Sequence, residues 1–382
     1  MEPASETRII RPLTGLRGLT ILSVISLHLR DVFLALLPAL QPYVILSLRI
    51  AFRMDLFFML SGFILSYIYI GRQQQMNLRA YLSFLWARVI RIYPGHLATL
   101  LLLIVAVVVG RRFNIVEHAE YFPATAIPLQ LTLTQAWPFA SWAKLTWNYP
   151  LWFLSALWFG YLAVFPCVWK LAPKFRRSRF LVLLMFMPLF LWLALDDYES
   201  LKEFQIVLRV ACEFLSGAML YLLCARGSRF VSFAQRHLDK VSPLFLILPV
   251  IISTVPNPGT VGLINDVLVL SIPFLLAGLT QESSLTSRLL ATRPILWLGK
   301  ISYALFVTHA LALKFMNTVL SAQRFTNSPP HVRYFVLGLY LLAVLACGIA
   351  LHKLVEVPCR DLLRKLSAKS QAKPAPREMV PV

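Results

Sequence analysis

The sequence predicts an all-α membrane protein, a polytopic bundle of about ten transmembrane helices with both termini in the cytoplasm. Three observations predict this fold class. Of the 382 residues, 58% are hydrophobic and 14% are charged, whereas a soluble domain carries roughly 25% charged residues. Apolar runs long enough to cross a bilayer recur along the whole chain. Segments rich in Lys and Arg alternate with segments that are poor in both.

The apolar runs define the predicted spans. A run of about twenty apolar residues crosses the hydrocarbon layer as an α-helix. The third span begins near Arg88 and continues through residues 97–110. The longest segment between spans, residues 111–148, is too short for a separate domain. The other spans centre on Ile25, Leu60, Phe159, Leu189, Leu215, Leu248, Phe274, Phe306 and Leu342.

The uneven distribution of the net charge of +20 predicts the orientation. Loops on the cytoplasmic side are enriched in Lys and Arg, and one of the alternate segments, residues 196–203, is acidic. Both termini lie in segments rich in Lys and Arg, so both are predicted to be cytoplasmic and the number of spans must be even. Topology thus explains the positive charge without a nucleic-acid partner. The basic set contains Arg8, Arg11 and Arg17; Arg72, Arg79, Arg88 and Arg91; Lys170, Lys174, Arg176, Arg177 and Arg179; Arg226, Arg229, Arg236 and Lys240; Arg288, Arg293 and Lys300; and Lys353, Arg360, Arg364 and Lys365.

The ends of the chain and the cysteines add little chemistry. Residues 1–12 are polar and no small-residue cleavage site follows the first apolar run, so we expect the first span to remain in the mature protein. Residues 1–366 are predicted to form one transmembrane domain, and residues 367–382 a polar, disordered cytoplasmic tail. The five cysteines lack metal-ligand spacing, and we expect neither disulfides nor a metal site. No internal repeat is evident, which disfavours an inverted-repeat transporter.

The first span carries the clearest pair of polar residues. Arg17 opens it on the cytoplasmic side and His28 follows eleven residues later. At about 100° per residue the two side chains share one helix face, roughly 16 Å apart along the axis. Asp31 lies three residues beyond His28 and is the candidate to orient the imidazole and stabilise its charged form. The alternative is that His28 only packs between helices and that Asp31 is an interfacial residue.

The chain resembles the acyltransferase-3 family of membrane acyltransferases, in which an Arg and a His are separated by ten residues on the first span. The resemblance extends over most of the chain and implies the predicted fold. The matching segments are LTGLRGLTILSVISLH (13–28), DLFFMLSGF (55–63), WARVIRIYP (86–94), WFLSALWFGY (152–161), RVACEFLSG (209–217), GKISYALFVTH (299–309) and VEVP (355–358).

This resemblance implies transfer of an acyl group, usually acetyl, from cytoplasmic acetyl-CoA to a hydroxyl of a surface or exported glycan. The donor is a substrate, no cofactor is expected to be tightly bound, and the expected location is a bacterial cytoplasmic (inner) membrane. The family assigns the His of the first span, here His28, to catalysis, and the Arg, here Arg17, to the acyl-CoA side. An imidazole, whose unperturbed pKa is about 6.5, suits removal of a proton from the attacking hydroxyl.

Arg88, Arg91 and Tyr93, in the motif that opens the third span, are the further candidates for binding the donor. Guanidinium groups bind phosphates through paired hydrogen bonds, and coenzyme A brings phosphates to the inner face. Plain positive-inside residues remain the alternative for both arginines. His96 follows the motif and is a weaker candidate for contact with the donor.

Four residues are candidates for substrate or supporting roles. Ser61 either lies near the acyl path or only allows close packing of helices. Asp55 either binds acceptor hydroxyls or pairs with Arg53. Tyr303 and His309 stand at motif positions in the ninth span. Weaker candidates are Glu356 and the pair Arg209 and Glu213, which lie one helical turn apart and can neutralise each other.

Two positions depart from the family pattern. Thr14 stands where an acidic residue usually precedes Gly-Leu-Arg, and Leu157 stands where the fourth-span motif usually carries Glu. The second departure removes a carboxylate that could assist the site, which places more weight on Asp31 or Asp55. Both question the roles of single residues more than the class of reaction.

Two other classes of function stay open at this stage. A transporter or flippase for a sugar derivative or lipid-linked glycan predicts dependence on a gradient and tolerance to loss of His28. A membrane scaffold predicts no change in acylation of any glycan. The identity of the acceptor, the acyl chain and the oligomeric state are not predicted. Four aromatic residues of the outer segment can stack on sugars or anchor the membrane interface: Trp137, Trp142, Trp147 and Tyr149.

Overall fold

The computed structural model describes residues 10–41, 53–72, 75–114, 119–195, 199–245, 247 and 258–371, and within these ranges the chain forms helices and turns without a β-strand. The α-helices are α1 (Arg11–His28), α2 (Arg30–Leu36), α3 (Arg53–Leu65), α4 (Leu78–Arg112), α5 (Ile127–Thr132), α6 (Trp152–Phe159), α7 (Phe165–Phe175), α8 (Leu181–Leu195), α9 (Gln205–Ala225), α10 (Arg229–Val241), α11 (Pro258–Gly278), α12 (Leu285–Leu290), α13 (Arg293–Val319), α14 (Pro330–Leu351) and α15 (Val357–Gln371). Single π-helical turns extend or join some of them at Ser66–Ile70, Gly160–Val164 and His352–Glu356. Short 3₁₀ helices lie at Pro38–Leu40, Ala119–Tyr121, Ala124–Ala126, Pro138–Ala143, Tyr149–Leu151, Glu199–Leu201 and Ala322–Phe325.

The described residues contain seven helical segments long and apolar enough to cross a membrane, and eight if α1 and α2, which meet at a 61° bend, form one broken span. Helix α8 is apolar but only 15 residues long. The predicted span around Leu248 lies outside the described residues. The all-α polytopic class is confirmed, and the count of about ten stays a prediction. The seven segments are Arg53–Ile70, Leu78–Arg112, Tyr149–Phe175, Gln205–Ala225, Gly259–Gly278, Arg293–Val319 and Pro330–Leu366.

Segments predicted to be cytoplasmic contact one another. Arg226, after α9, donates to the carbonyl oxygen of Ser178 at 2.6 Å. Asp239 in α10 accepts from the backbone N–H groups of Leu285 and Thr286 at 2.9 and 2.8 Å. These hydrogen bonds lower the pKa of the Asp239 carboxyl. The contacts agree with the orientation that the charge distribution predicts. Helix α15 continues past residue 366, where the tail was predicted to begin, to Gln371.

The outer segment folds back into the bundle. The buried His96 imidazole in α4 bonds through Nε2 to the carbonyl oxygen of Gln130 at 2.8 Å. The Gln130 amide in turn donates to the Thr146 hydroxyl at 3.2 Å. Asn148 donates to the carbonyl oxygen of Val307, in the middle of α13, at 2.9 Å. These buried polar contacts hold the start of the fourth span against α13.

Helices α1 and α13 pack at backbone distance. A Cβ atom added at Gly299 in α13 would overlap the carbonyl oxygen of Thr14 in α1. A backbone atom cannot rotate away, so any larger side chain would force the helices apart. Small residues permit this close approach in membrane bundles. This contact therefore sets the distance between α1 and α13 at the cytoplasmic half of the interface predicted from the charge distribution.

Gly299→Ala should destabilise the protein, because overpacking a close contact costs about 1–3 kcal/mol. The matched control is Gly338→Ala in α14, where nothing lies within 4 Å of the added atom. Thermal unfolding of the detergent-solubilised protein should show a lower Tm for G299A and an unchanged or higher Tm for G338A. Equal Tm values for both variants would contradict the close packing of α1 on α13.

Candidate active site

A cavity of about 180 Å³ lies inside the bundle between helices α1, α3, α4, α6 and α13, and three arginines line it. We call it the arginine cavity. Its polar lining consists of Arg17, Ser61, Arg88, Arg91, Tyr161, Ser302 and Tyr303. Its apolar lining includes Phe57, Phe153, Leu157 and Phe306. Because the arginine cavity has both polar and apolar lining residues, it suits a ligand with a charged end and an apolar end.

The arginines of this cavity carry more positive charge than the carboxylates bonded to them. Arg17 donates to the Gly299 carbonyl oxygen and to the Ser302 hydroxyl, both at 3.3 Å. Arg88 lines the cavity together with Tyr161, and its buried Nε has no hydrogen-bond partner within the described part of the chain. Neither arginine forms an ion pair among the described residues.

Arg91 is the one cavity arginine that pairs with a carboxylate in the described structure. Its partner is Glu356, which is almost fully buried and also bonds to His352 at 2.8 Å. The Arg91 guanidinium lies 5.6 Å from the centre of the Tyr303 ring. Three guanidinium groups and one carboxylate leave the cavity with a net positive charge. Surplus charge in a partly buried cavity is costly unless a counter-ion binds, so the cavity is suited to an anion.

Local irregularities in the helices place two of these groups. Tyr161 lies in the π-helical turn that joins α6 to α7, and Glu356 ends the turn that joins α14 to α15. A π-helical turn inserts an extra residue into the helix and redirects the side chains around it, and such turns are frequent at functional sites. Tyr161 lines the arginine cavity, and Glu356 forms the ion pair with Arg91.

Beyond the arginine cavity, His28 and His309 form a pair of hydrogen-bonded imidazoles. His28 Nδ1 lies 2.8 Å from His309 Nε2, and the ring centroids are 4.8 Å apart with the ring planes tilted by 26°. His28 is the last residue of α1, at the 61° bend before α2. The Tyr149 and His28 rings pack edge to face, with centroids 5.2 Å apart. His309 is fully buried.

The histidine pair adjoins the arginine cavity through one aromatic side chain. Phe306 lines the cavity, and its ring centre lies 5.9 Å from that of His309. Arg17 bonds to Ser302 and His28 bonds to His309, so both residues of α1 face helix α13, at two depths in the membrane. The predicted shared face of the first span is confirmed by these two contacts.

The expected contact between Asp31 and His28 is not formed. The Asp31 carboxylate is 69% exposed and accepts from Arg30 at 3.3 Å. The expectation assumed a continuous helix, but α1 ends at His28 and the chain bends at Leu29. The partner of the imidazole is His309 instead.

Asp55 belongs to a cluster of charged groups around Arg209. Arg209 binds both of its carboxylate oxygens, at 3.0 and 2.6 Å, and also Glu213 at 3.1 Å. Of the two alternatives for Asp55, the pairing with Arg53 is not formed: Arg53 donates to the Ser23 hydroxyl, and Arg209 is the cation bound to the Asp55 carboxylate. Asp55 is 1% exposed, and both of its carboxylate oxygens are bound by Arg209.

The remaining candidates divide between the cavity and the packing around it. Ser61 and Tyr303 line the cavity, and Tyr303 donates to the Ile92 carbonyl oxygen. Tyr93 does not line it and packs edge-on against Trp158, with ring centres 5.7 Å apart. His96 is bonded to the outer segment and is not placed to contact a donor.

Of the four outer aromatics, only Tyr149 contacts the histidine pair. Trp147 is buried against Phe122. Trp137 donates to the Ser155 carbonyl oxygen at 3.2 Å. Trp142 is 56% exposed and is free to anchor the interface.

The sequence interpretation missed Tyr161, Ser302 and the pairing of His28 with His309. Tyr161 and Ser302 are polar groups within apolar spans, and that signal alone marks them as candidates. Nothing in the sequence shows that His309 contacts a residue 281 positions away.

The fold and the site together define a polytopic membrane protein in which an arginine-lined cavity adjoins a hydrogen-bonded histidine pair. Residues 11–352 match the model of the acyltransferase-3 family, described as an acyltransferase domain. The match covers nearly the whole chain, so the protein belongs to this family and is an integral membrane acyltransferase. Comparison with curated proteins and with solved structures finds no significant match.

Arg209→Gln should destabilise the fold by about 3–5 kcal/mol, because it leaves the buried carboxylates of Asp55 and Glu213 without their cation. The control is Arg226→Gln, which removes an exposed hydrogen bond to a backbone carbonyl. Thermal unfolding in detergent should show a large loss of Tm for R209Q alone. An unchanged Tm with a raised KM for the acceptor would instead assign Asp55 and its partner to substrate binding.

Proposed function

We propose that the protein transfers an acyl group, most simply acetyl, from cytoplasmic acyl-CoA to a hydroxyl of an exported or surface glycan. The observation that carries the proposal is the surplus of positive charge in the arginine cavity next to the His28 imidazole. Coenzyme A supplies the anion that this charge requires, since it carries a diphosphate and a further phosphate. The apolar wall formed by Phe153, Leu157 and Phe306 suits its uncharged thioester arm.

Arg17 and Arg88 are the groups that we assign to the phosphates. Neither is neutralised by a carboxylate in the described structure, and guanidinium groups bind phosphate oxygens through paired hydrogen bonds. Arg91, held by Glu356 over the Tyr303 ring, supports the same wall of the cavity. The arginines belong to segments that the charge distribution predicts to be cytoplasmic, which suits a donor made in the cytoplasm of a bacterial cell.

The reaction has a balanced description with His28 as the general base. The acceptor oxygen attacks the thioester carbonyl carbon while its proton moves to the imidazole. The carbon–sulfur bond then breaks, the ester is released, and the imidazolium returns the proton to the thiolate of coenzyme A. Tyr149, at the outer end of the fourth span, lies beside His28, where an acceptor arriving from outside meets the base.

His28→Ala should abolish transfer, because general-base catalysis by a positioned imidazole contributes about 10²- to 10⁴-fold. The experiment compares the O-acetyl content of surface glycans from cells that make the wild-type protein or H28A at equal levels. The control is His331→Ala, an exposed histidine at the start of α14. Equal O-acetyl content in wild type and H28A would contradict the assignment of His28, and dependence on a gradient in place of acetyl-CoA would favour a transporter.

Arg88→Gln should raise the KM for acetyl-CoA about 10- to 100-fold, because a hydrogen bond to a charged group contributes about 1.5–3 kcal/mol. The maximal rate should change far less, since Arg88 binds the part of the donor that does not react. The matched control is Arg79→Gln, an exposed arginine in the first turn of the same helix. Membrane vesicles supplied with radiolabelled acetyl-CoA provide the measurement. An equal KM in R88Q and R79Q would remove Arg88 from the donor site.

A further inference from the structure

We propose that His309 is a positioning residue that sets the tautomer of His28 and makes Nε2 of His28 the nitrogen that accepts the proton. This inference rests on the proposed function and adds a group that acts through the base. Three observations carry it: the hydrogen bonds of His309 to its own helix, the contact between the imidazoles, and the lack of a carboxylate bonded to either ring in the described structure.

The backbone of α13 fixes the proton on His309. Its Nδ1 lies 2.7 Å from the carbonyl oxygen of Phe306 and 3.2 Å from that of Leu305. Carbonyl oxygens only accept, so Nδ1 must carry the hydrogen. In a neutral imidazole the other nitrogen is then an acceptor. His309 is fully buried, and no carboxylate bonds to it in the described residues, so the neutral form is the one that this environment favours.

The tautomer of His28 follows from that of His309. His28 Nδ1 lies 2.8 Å from His309 Nε2, which has a lone pair and no hydrogen, so His28 Nδ1 donates. The lone pair of His28 is therefore on Nε2. When Nε2 takes the hydroxyl proton, the bond from Nδ1 to His309 remains and stabilises the imidazolium.

His309 also takes the orienting role for which the sequence suggested a carboxylate. Leu157 stands where the fourth-span motif usually has Glu, and Asp31 is exposed and bound to Arg30. A base with no orienting partner would divide between two tautomers and several ring orientations. The hydrogen-bonded His309 imidazole supplies the orientation without adding a charge to the bundle, where each buried charge is costly.

The test compares two substitutions of His309 in the full-length protein in membrane vesicles, with radiolabelled acetyl-CoA as the donor. His309→Leu removes the acceptor and should lower kcat about 10²-fold or more, with KM for acetyl-CoA unchanged. His309→Gln restores an acceptor oxygen near the position of Nε2 and should recover most of the lost rate. The control is Thr308→Val, which removes a buried hydroxyl bonded only within its own helix, to Ala304 at 2.8 Å, and should leave kcat unchanged.

Several outcomes would overturn the inference. A wild-type kcat in H309L would do so. An equal loss of kcat in H309L and H309Q would also do so, as would a loss of kcat that is matched by a loss of Tm. If H309L does not accumulate, H309N takes its place, because its shorter amide cannot reach His28, and equal rates in H309N and H309Q would count against the role. An inactive H28A beside a fully active H309L removes this inference alone, whereas a fully active H28A removes the proposed function.

Discussion

The site depends on the close packing of α1 against α13. The two helices touch through the Thr14 backbone at Gly299, and Arg17 and His28 then meet Ser302 and His309 on the same partner helix. The separations along the chain are nearly equal, 282 residues from Arg17 to Gly299 and 281 from His28 to His309. The helices therefore run parallel and in register. This one interface positions both the arginine cavity and the histidine pair, so a change in the packing of α1 on α13 would displace both.

Electrostatics separates the functional charges from the structural ones. Around Arg209, one cation faces two carboxylates, those of Asp55 and Glu213, and all three groups are supplied by the chain itself. In the arginine cavity, three cations face one carboxylate. Buried ions need partners, and the arginine cavity has room for a partner from outside the chain. The two clusters differ in that the arginines line a cavity and carry an excess of positive charge, whereas Arg209 is enclosed by carboxylates of the chain.

The sequence predicted the parts of the site that lie within one helix and missed those that depend on tertiary contacts. Helical periodicity placed Arg17 and His28 on one face, and the structure confirms it. The same periodicity was wrong for Asp31 because the chain bends at Leu29, and a bend is not visible in an apolar run. The partner of Asp55 is Arg209, which lies 154 residues away along the chain. The two π-helical turns that place Tyr161 and Glu356 have no clear sequence signal. Fold class was predictable because hydrophobic length and composition alone require spanning helices.

The central claim is that donor and acceptor reach His28 from opposite sides of the membrane. The most direct test uses sealed vesicles of known orientation, with radiolabelled acetyl-CoA supplied on one side only. With the donor on the predicted cytoplasmic side, label should appear in glycan on the opposite side. With the donor on the outer side of intact vesicles, no label should transfer until the membrane is permeabilised. Transfer at equal rates from both sides, or no transfer from the cytoplasmic side, would contradict the account.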